Sequence, residues 1–336
     1  MIDKIRSTKF RPESMAKITK IVEIVEEYQS QGLRLTARQL YYQFVARDLI
    51  ANTPAAYKQL TALLTDARYA GLVDWDAIED RGRVPERPSE WTSISSLVES
   101  ALRAYRLPRW SNQPKYVELW VEKQALAGVL APLAREFHVT LMVNKGYSSA
   151  SAMRESAERI QTAVGWSIQD YFAIVRETKR QMDTHEWSDN QVDQYLESKI
   201  RDFRSTTKPA IIFYLGDHDP SGEDMVRDIR DRILEFSRHS IDLEVSKIAL
   251  TTEQVEEYDP PPNPAKMTDP RASDYVRKHG ESSWEVDALP PNVLSRLIRE
   301  AFEEVIDSRA LKEVIAREDA DKSWLRKAMR NKAKKP

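Results

Sequence analysis

Ala210-Ile-Ile-Phe-Tyr-Leu-Gly-Asp-His-Asp-Pro-Ser-Gly222 is the stretch on which the fold turns. An unbroken apolar run with no polar alternation describes a strand buried on both faces, as in a parallel sheet covered by helices. Gly216 ends the run, and Asp219-Pro220 then supplies a capping side chain and a proline suited to the first turn of a helix. In an open α/β sheet, functional groups gather where strands end and helices begin. Asp217 and Asp219 stand at such an edge.

Similar runs lie at Tyr116–Val121, Val139–Val143 and Ile241–Ile248, and they alternate with helical patterns near 124–136, 149–163 and 221–237. This alternation predicts a mostly parallel, Rossmann-like sheet. Glu122 follows Tyr116–Val121 and so joins Asp217 and Asp219 at the carboxyl edge. Three carboxylates there repel one another unless a divalent cation neutralises them, and an all-oxygen set suits magnesium, with manganese as a substitute. Glu118 falls on the same side of its strand but deeper, a supporting position. His218 alternates with the two aspartates and is expected to point away from them, into packing. Lys145-Gly146 ends the second strand at the same edge, where Lys145 is either a phosphate contact or a solvated lysine. The segment 163–208 reads as a helical insert, 259–270 as a proline-rich loop, and a further helix starts near Pro291.

Upstream, Met15, Ile18, Val22, Val25 and Tyr28 recur at helical spacing and Gly32 stops the pattern. Thr36-Ala-Arg-Gln39 is a capping box opening a second helix that buries Leu40, Tyr41, Phe44 and Val45. At about 100° per residue, Tyr42 projects roughly 130° away from that face. It is expected on an exposed stripe beside Arg38, four residues earlier. A phenol of ordinary pKa about 10 needs a cationic neighbour, a metal or a base before it acts as a nucleophile, and Arg38 can supply part of this. A third helix runs from Thr53-Pro54 to Gly71 and offers Lys58, Thr61, Thr65 and Arg68 on its outer face. Leu72–Ile78 then reads as a strand and Glu79–Arg83 as a charged turn carrying Arg81 and Arg83. Three helices followed by a charged hairpin is a winged-helix plan, whose third helix enters a DNA groove while the wing touches backbone. The boundary with the sheet domain falls after the proline-rich stretch 84–89 and a helix to about Leu107, giving domains 1–111 and 112–336.

The chain has 336 residues, and 51 basic against 53 acidic side chains leave a net charge of −2, so no global basic field argues for nucleic acid. Basic residues gather locally in the tail, 322–336, which is either a solvated terminus or a phosphate-contacting arm. Zero cysteines exclude disulfides, thiol nucleophiles and thiolate zinc sites, and the five histidines lack metal-ligand spacing. The longest apolar stretch, Ala125–Ala134, is about half a membrane span. No membrane role is therefore expected, and the charged amino terminus fits a cytoplasmic protein rather than a secreted one.

The stretches TARQLYYQF (36–44), VELWVEK (117–123) and LGDHDPSG (215–222) resemble, in order and spacing, the A subunit of topoisomerase VI and its meiotic double-strand-break relatives. The likeness is greatest to the compact stand-alone mini-A type. That resemblance implies a winged-helix domain joined to a Toprim metal-binding domain. It implies Tyr42 as the nucleophile forming a 5′-phosphotyrosyl link, Arg38 at the phosphate, and Glu122, Asp217 and Asp219 on magnesium. It further implies double-stranded DNA as substrate, nucleoid association, a homodimer with active sites shared between protomers, and a separate ATPase (B-type) subunit in the full topoisomerase. No GxxxxGK[ST] loop is present, so no ATP site is expected in this chain. The alternative is a Toprim nuclease that hydrolyses DNA with water, as the nuclease subunit of the Wadjet anti-plasmid system does without the tyrosine. A second alternative is a non-catalytic DNA-binding or assembly protein.

Overall fold

The computed structural model describes residues 4–79, 88–166, 168–185 and 187–332. The chain opens with α1 (Pro12–Ser30), α2 (Ala37–Ala46) and α3 (Pro54–Tyr69). Each start follows from sequence: proline in the first turn of α1 and α3, the Thr36/Gln39 capping box of α2, and the Thr53 side chain accepting from Ala56 N. Ile18, Ile21, Ile24 and Val25 of α1 pack on Leu40 and Phe44 of α2 and on Leu60 and Leu64 of α3. Met15, expected on the buried face, is exposed.

The strand expected over Leu72–Ile78 does not form. A 3-10 turn, Trp75–Ala77, takes its place, and a single bridge joins Ile78 to Leu35. The cause is local competition for backbone groups. Asp74 accepts from Asp76 N at 3.0 Å, and Arg68 Nη2 donates to the Trp75 carbonyl at 2.7 Å while stacking on the Trp75 ring. Arg81 and Arg83 of the expected turn lie outside the described residues.

After α4 (Ile94–Ala104) comes the sheet: β1 (Tyr116–Val121), β2 (Thr140–Val143), β3 (Ala210–Leu215) and β4 (Leu243–Ala249), all parallel, in the order β2-β1-β3-β4. One face, with Val117, Leu119, Ile211 and Phe213, is covered by α5 (Ala127–Phe137) and α12 (Pro291–Val305). The other, with Trp120, Ile212 and Tyr214, is covered by α6 (Ala150–Ala163) and α9 (Pro220–Phe236). Cover on both faces explains why β1, β2 and β3 carry no polar alternation, whereas the edge strand β4 carries Glu244, Ser246 and Lys247. Within β1 the exception is Glu118, which is fully buried. Arg159 of α6 reaches it with Nε at 2.8 Å and Nη2 at 3.0 Å, and Tyr116 and Trp120 donate to it as well, which confirms a supporting position.

The helical insert is present as α7 (Ile168–His185) and α8 (Asp189–Arg204), packed on each other. The loop expected at 259–270 follows α10 (Thr252–Tyr258). It contains β5 (Asn263–Pro264), which pairs antiparallel with β6 (Ser282–Ser283), and α11 (Ala272–His279) lies between the two. The basic tail is no free arm over its described length. Its residues to Lys332 continue α13 (Ser308–Lys332), and Lys322 pairs with the buried Glu318 at 2.6 Å. Among the described residues, no helix is long and apolar enough to cross a membrane.

One connection positions the site. The 3-10 turn Val286–Ala288, between β6 and α12, packs against α2, and Ala288 joins the core of the amino-terminal helices. The α2 face carrying Arg38 and Tyr42 therefore meets the sheet domain rather than solvent.

Candidate active site

Register fixes the edge. Val121 pairs with Leu215, and Glu122 N donates to the Leu215 carbonyl at 2.9 Å, so Glu122 and the Gly216-Asp217 turn are neighbours. The Glu122 carboxylate accepts from Asp217 N at 3.0 Å and from the Tyr214 hydroxyl at 3.3 Å. Asp219 caps α9, its Oδ1 accepting from Gly222 N at 2.7 Å and Ser221 Oγ at 2.9 Å. A Cβ on Gly222 would fall 2.1 Å from the Asp217 carbonyl oxygen, so only glycine lets α9 start this close to the aspartates. His218 turns away, as expected, and bonds the Tyr275 and Thr252 hydroxyls.

Asp217 faces a cation from its own chain. Lys123 Nζ lies 3.1 Å from Asp217, 2.7 Å from Glu285 and 2.8 Å from Asp287. Burial lifts the Asp217 carboxyl to about 7, against the pull of Lys123 and with the help of Glu122 and Asp287. Burial likewise raises Asp287, which is fully buried. For Lys123, burial works in the opposite direction, but Asp287, Asp217 and Glu285 outweigh it and hold the ammonium above its ordinary value. Lys247 bonds the Asp217 carbonyl at 2.8 Å and Glu223 at 2.5 Å, and so braces the same turn from β4.

Tyr42 differs from expectation in one respect. Its hydroxyl does receive a hydrogen bond from Arg38 Nη2, at 3.3 Å, but the side chain is 1% exposed because the turn at 286–288 covers it. Burial pushes the phenol up to about 12, helped by Glu285 and opposed by Arg38. Arg38 bonds Glu285 directly, and its Nε lies 3.6 Å from Asp287. A continuous run of contacts thus links Tyr42, Arg38, Glu285, Lys123 and Asp217 across the two halves of the chain.

The other expected contacts are scattered. Lys58 is exposed on α3, and Lys145 is exposed in the loop after β2, its backbone N bonded to the Glu122 carbonyl. Arg68 is engaged by Trp75. A concavity of about 800 Å³ lies away from this edge, between α5, α12 and the turn after α1, and Arg299 and Glu136 pair within it.

The carboxylates of Glu122, Asp217 and Asp219 have the chemistry magnesium prefers. Their geometry here does not gather them around one point: Asp219 is turned to its own helix and Asp217 to Lys123 and Val286 N. Among the described residues, no three histidine or carboxylate side chains converge as a metal site. Lys123, Glu285 and Asp287 were missed by sequence reasoning. The available signals were the lysine directly following Glu122 and the acid-apolar-acid pattern Glu285-Val-Asp287 just before a helix start.

Compared with protein-family models and with curated proteins, the chain finds no match in either.

Proposed function

We propose that this chain is a DNA-cleaving transesterase of the topoisomerase VI A-subunit type, a winged-helix domain joined to a Toprim domain. The observation that carries the reading is the placement of the Arg38–Tyr42 pair against the sheet edge that holds Glu122, Lys123 and Asp217. The Tyr42 oxygen attacks a backbone phosphorus, the P–O bond to the 3′-oxygen breaks, and the 5′ end stays on the tyrosine as a phosphodiester, so the step is reversible. Arg38 stabilises phenolate character on Tyr42 and charge on the phosphate. The proton leaving Tyr42 goes to solvent, and the departing 3′-oxygen takes one up to become a hydroxyl. A magnesium ion, or manganese in its place, on Glu122, Asp217 and Asp219 belongs to the proposal and requires these side chains to leave their present partners; its chemistry would be charge stabilisation at phosphoryl oxygens. A homodimer on double-stranded DNA, working with or without a separate ATPase subunit, completes it.

A second reading, hydrolysis by water at the carboxylate edge, is favoured by the burial of Tyr42 and its raised pKa. One experiment separates the two. Supercoiled plasmid is incubated with the protein and magnesium or manganese, stopped with detergent, and run with and without protease. Linear DNA released only by protease, and lost in Tyr42→Phe, is expected. Protease-insensitive product that survives Tyr42→Phe selects hydrolysis, and cleavage by Asp217→Ala overturns both.

A further inference from the structure

Glu285 bridges two cations. One oxygen, Oε1, bonds the Arg38 guanidinium, and the other, Oε2, lies 2.7 Å from Lys123 Nζ. A guanidinium and an ammonium are thereby held around a single oxyanion. The grip is incomplete, because Arg38 Nε and Asp287 Oδ2 face each other at 3.6 Å and both lack a hydrogen bond. A carboxylate has two oxygens to offer here. A backbone phosphodiester also has two charged oxygens, but its larger tetrahedral group can set one against the Nε–Nη2 edge of Arg38 while the other meets Lys123. Glu285 and Asp287 also differ in access. The Glu285 side chain is 24% exposed and can be displaced from solvent, whereas Asp287 is fully buried and stays to hold Lys123.

We propose that Arg38 and Lys123 form a phosphate-binding pair, and that Glu285 occupies it as an internal stand-in which a backbone phosphate must displace. The proposal rests on the DNA-cleavage reading and adds its control. While Glu285 is in place, it engages the Arg38 guanidinium that donates to the Tyr42 hydroxyl. When a phosphate takes its position, the phosphorus arrives beside the Tyr42 oxygen. Substrate entry and release of Arg38 from Glu285 become one event, which leaves the tyrosine without its phosphate partner away from DNA.

The test is the affinity of a fluorescent DNA duplex at fixed salt with chelator present, read by anisotropy. Glu285→Gln keeps the shape and removes the charge. One charge-assisted contact is expected to be worth about tenfold in affinity, so Glu285→Gln should bind about tenfold tighter than the unaltered chain. Arg38→Gln should bind more weakly, and adding Glu285→Gln to it should recover less than twofold. The exposed Glu304→Gln, a charge-matched control, should change binding by less than twofold. Unchanged or weaker binding by Glu285→Gln overturns the proposal if its melting temperature and circular dichroism are unaltered. So does an equal gain in the Arg38→Gln background. Should Glu285→Gln misfold, Glu285→Ala is held to the same expectations. If no form of the protein binds DNA, the cleavage reading fails, and thermal protection by inorganic pyrophosphate decides the site. Protection of Glu285→Gln that disappears with Arg38→Gln keeps the anion site, and no protection overturns it too.

Discussion

Replacing Lys123 by methionine removes the counter-charge that touches Asp217, Glu285 and Asp287 together, while keeping most of the side-chain volume. The ammonium lies 2.7–3.1 Å from an oxygen of each, and Asp287 has no access to water. Truncating one partner of a buried pair costs about 3–5 kcal/mol, because the remaining charge is left without compensation. We expect that range at pH 8. The sign with pH follows from linkage: burial already holds Asp217 and Asp287 above their unfolded values, and without Lys123 both rise further. A group raised in this way contributes most below its unfolded pKa and loses that contribution as pH rises through the folded one. In wild type, Asp217 already sits at about 7, so the deficit of Lys123→Met should be small near pH 5 and grow towards pH 8. Urea denaturation of both proteins at the two pH values, with slopes compared to confirm the same unfolding reaction, measures it. A cost below about 1 kcal/mol at pH 8 refutes the reasoning, and an equal cost at both pH values reduces Lys123 to a packing element.

Three further outcomes are expected. Subtracting the alkaline ultraviolet titration of Tyr42→Phe from that of wild type should show Tyr42 still protonated at pH 11, given a phenol pushed up to about 12; a transition near 10 would mean an open hydroxyl. Arg159→Ala leaves Glu118 buried with Tyr116 and Trp120 as its donors among the described residues and should cost about 3–5 kcal/mol by denaturation. Glu118→Gln added to Arg159→Ala should recover part of that loss. Gly222→Ala forces a Cβ against the Asp217 carbonyl and should lower the melting temperature, whereas alanine at the solvent-exposed Ser205 should not.

The sequence by itself determined the three amino-terminal helices, the four strands of the parallel sheet and the helices between them, in their chain order. Apolar strand runs alternating with helices announced a mostly parallel sheet covered on both faces, and capping signals at Thr36, Thr53 and Asp219 set helix starts, because each rests on contacts only a few positions apart. The neighbourhood of Glu122 and Asp217 was legible too, since parallel strands bring their carboxyl ends to one edge. Leu72–Ile78 was misjudged because side-chain bonds from Asp74 and Arg68 competed with a ladder that apolar pattern alone suggested. Tyr42 was placed in solvent by helix geometry, and that geometry was sound for an isolated helix. Only the tertiary structure decided that Val286–Ala288, more than 200 residues away in the chain, covers that face. The same packing brought Arg38, Lys123 and Glu285 together. No spacing rule can anticipate such a cluster, because its members meet through the docking of two cores rather than through the periodicity of any one element.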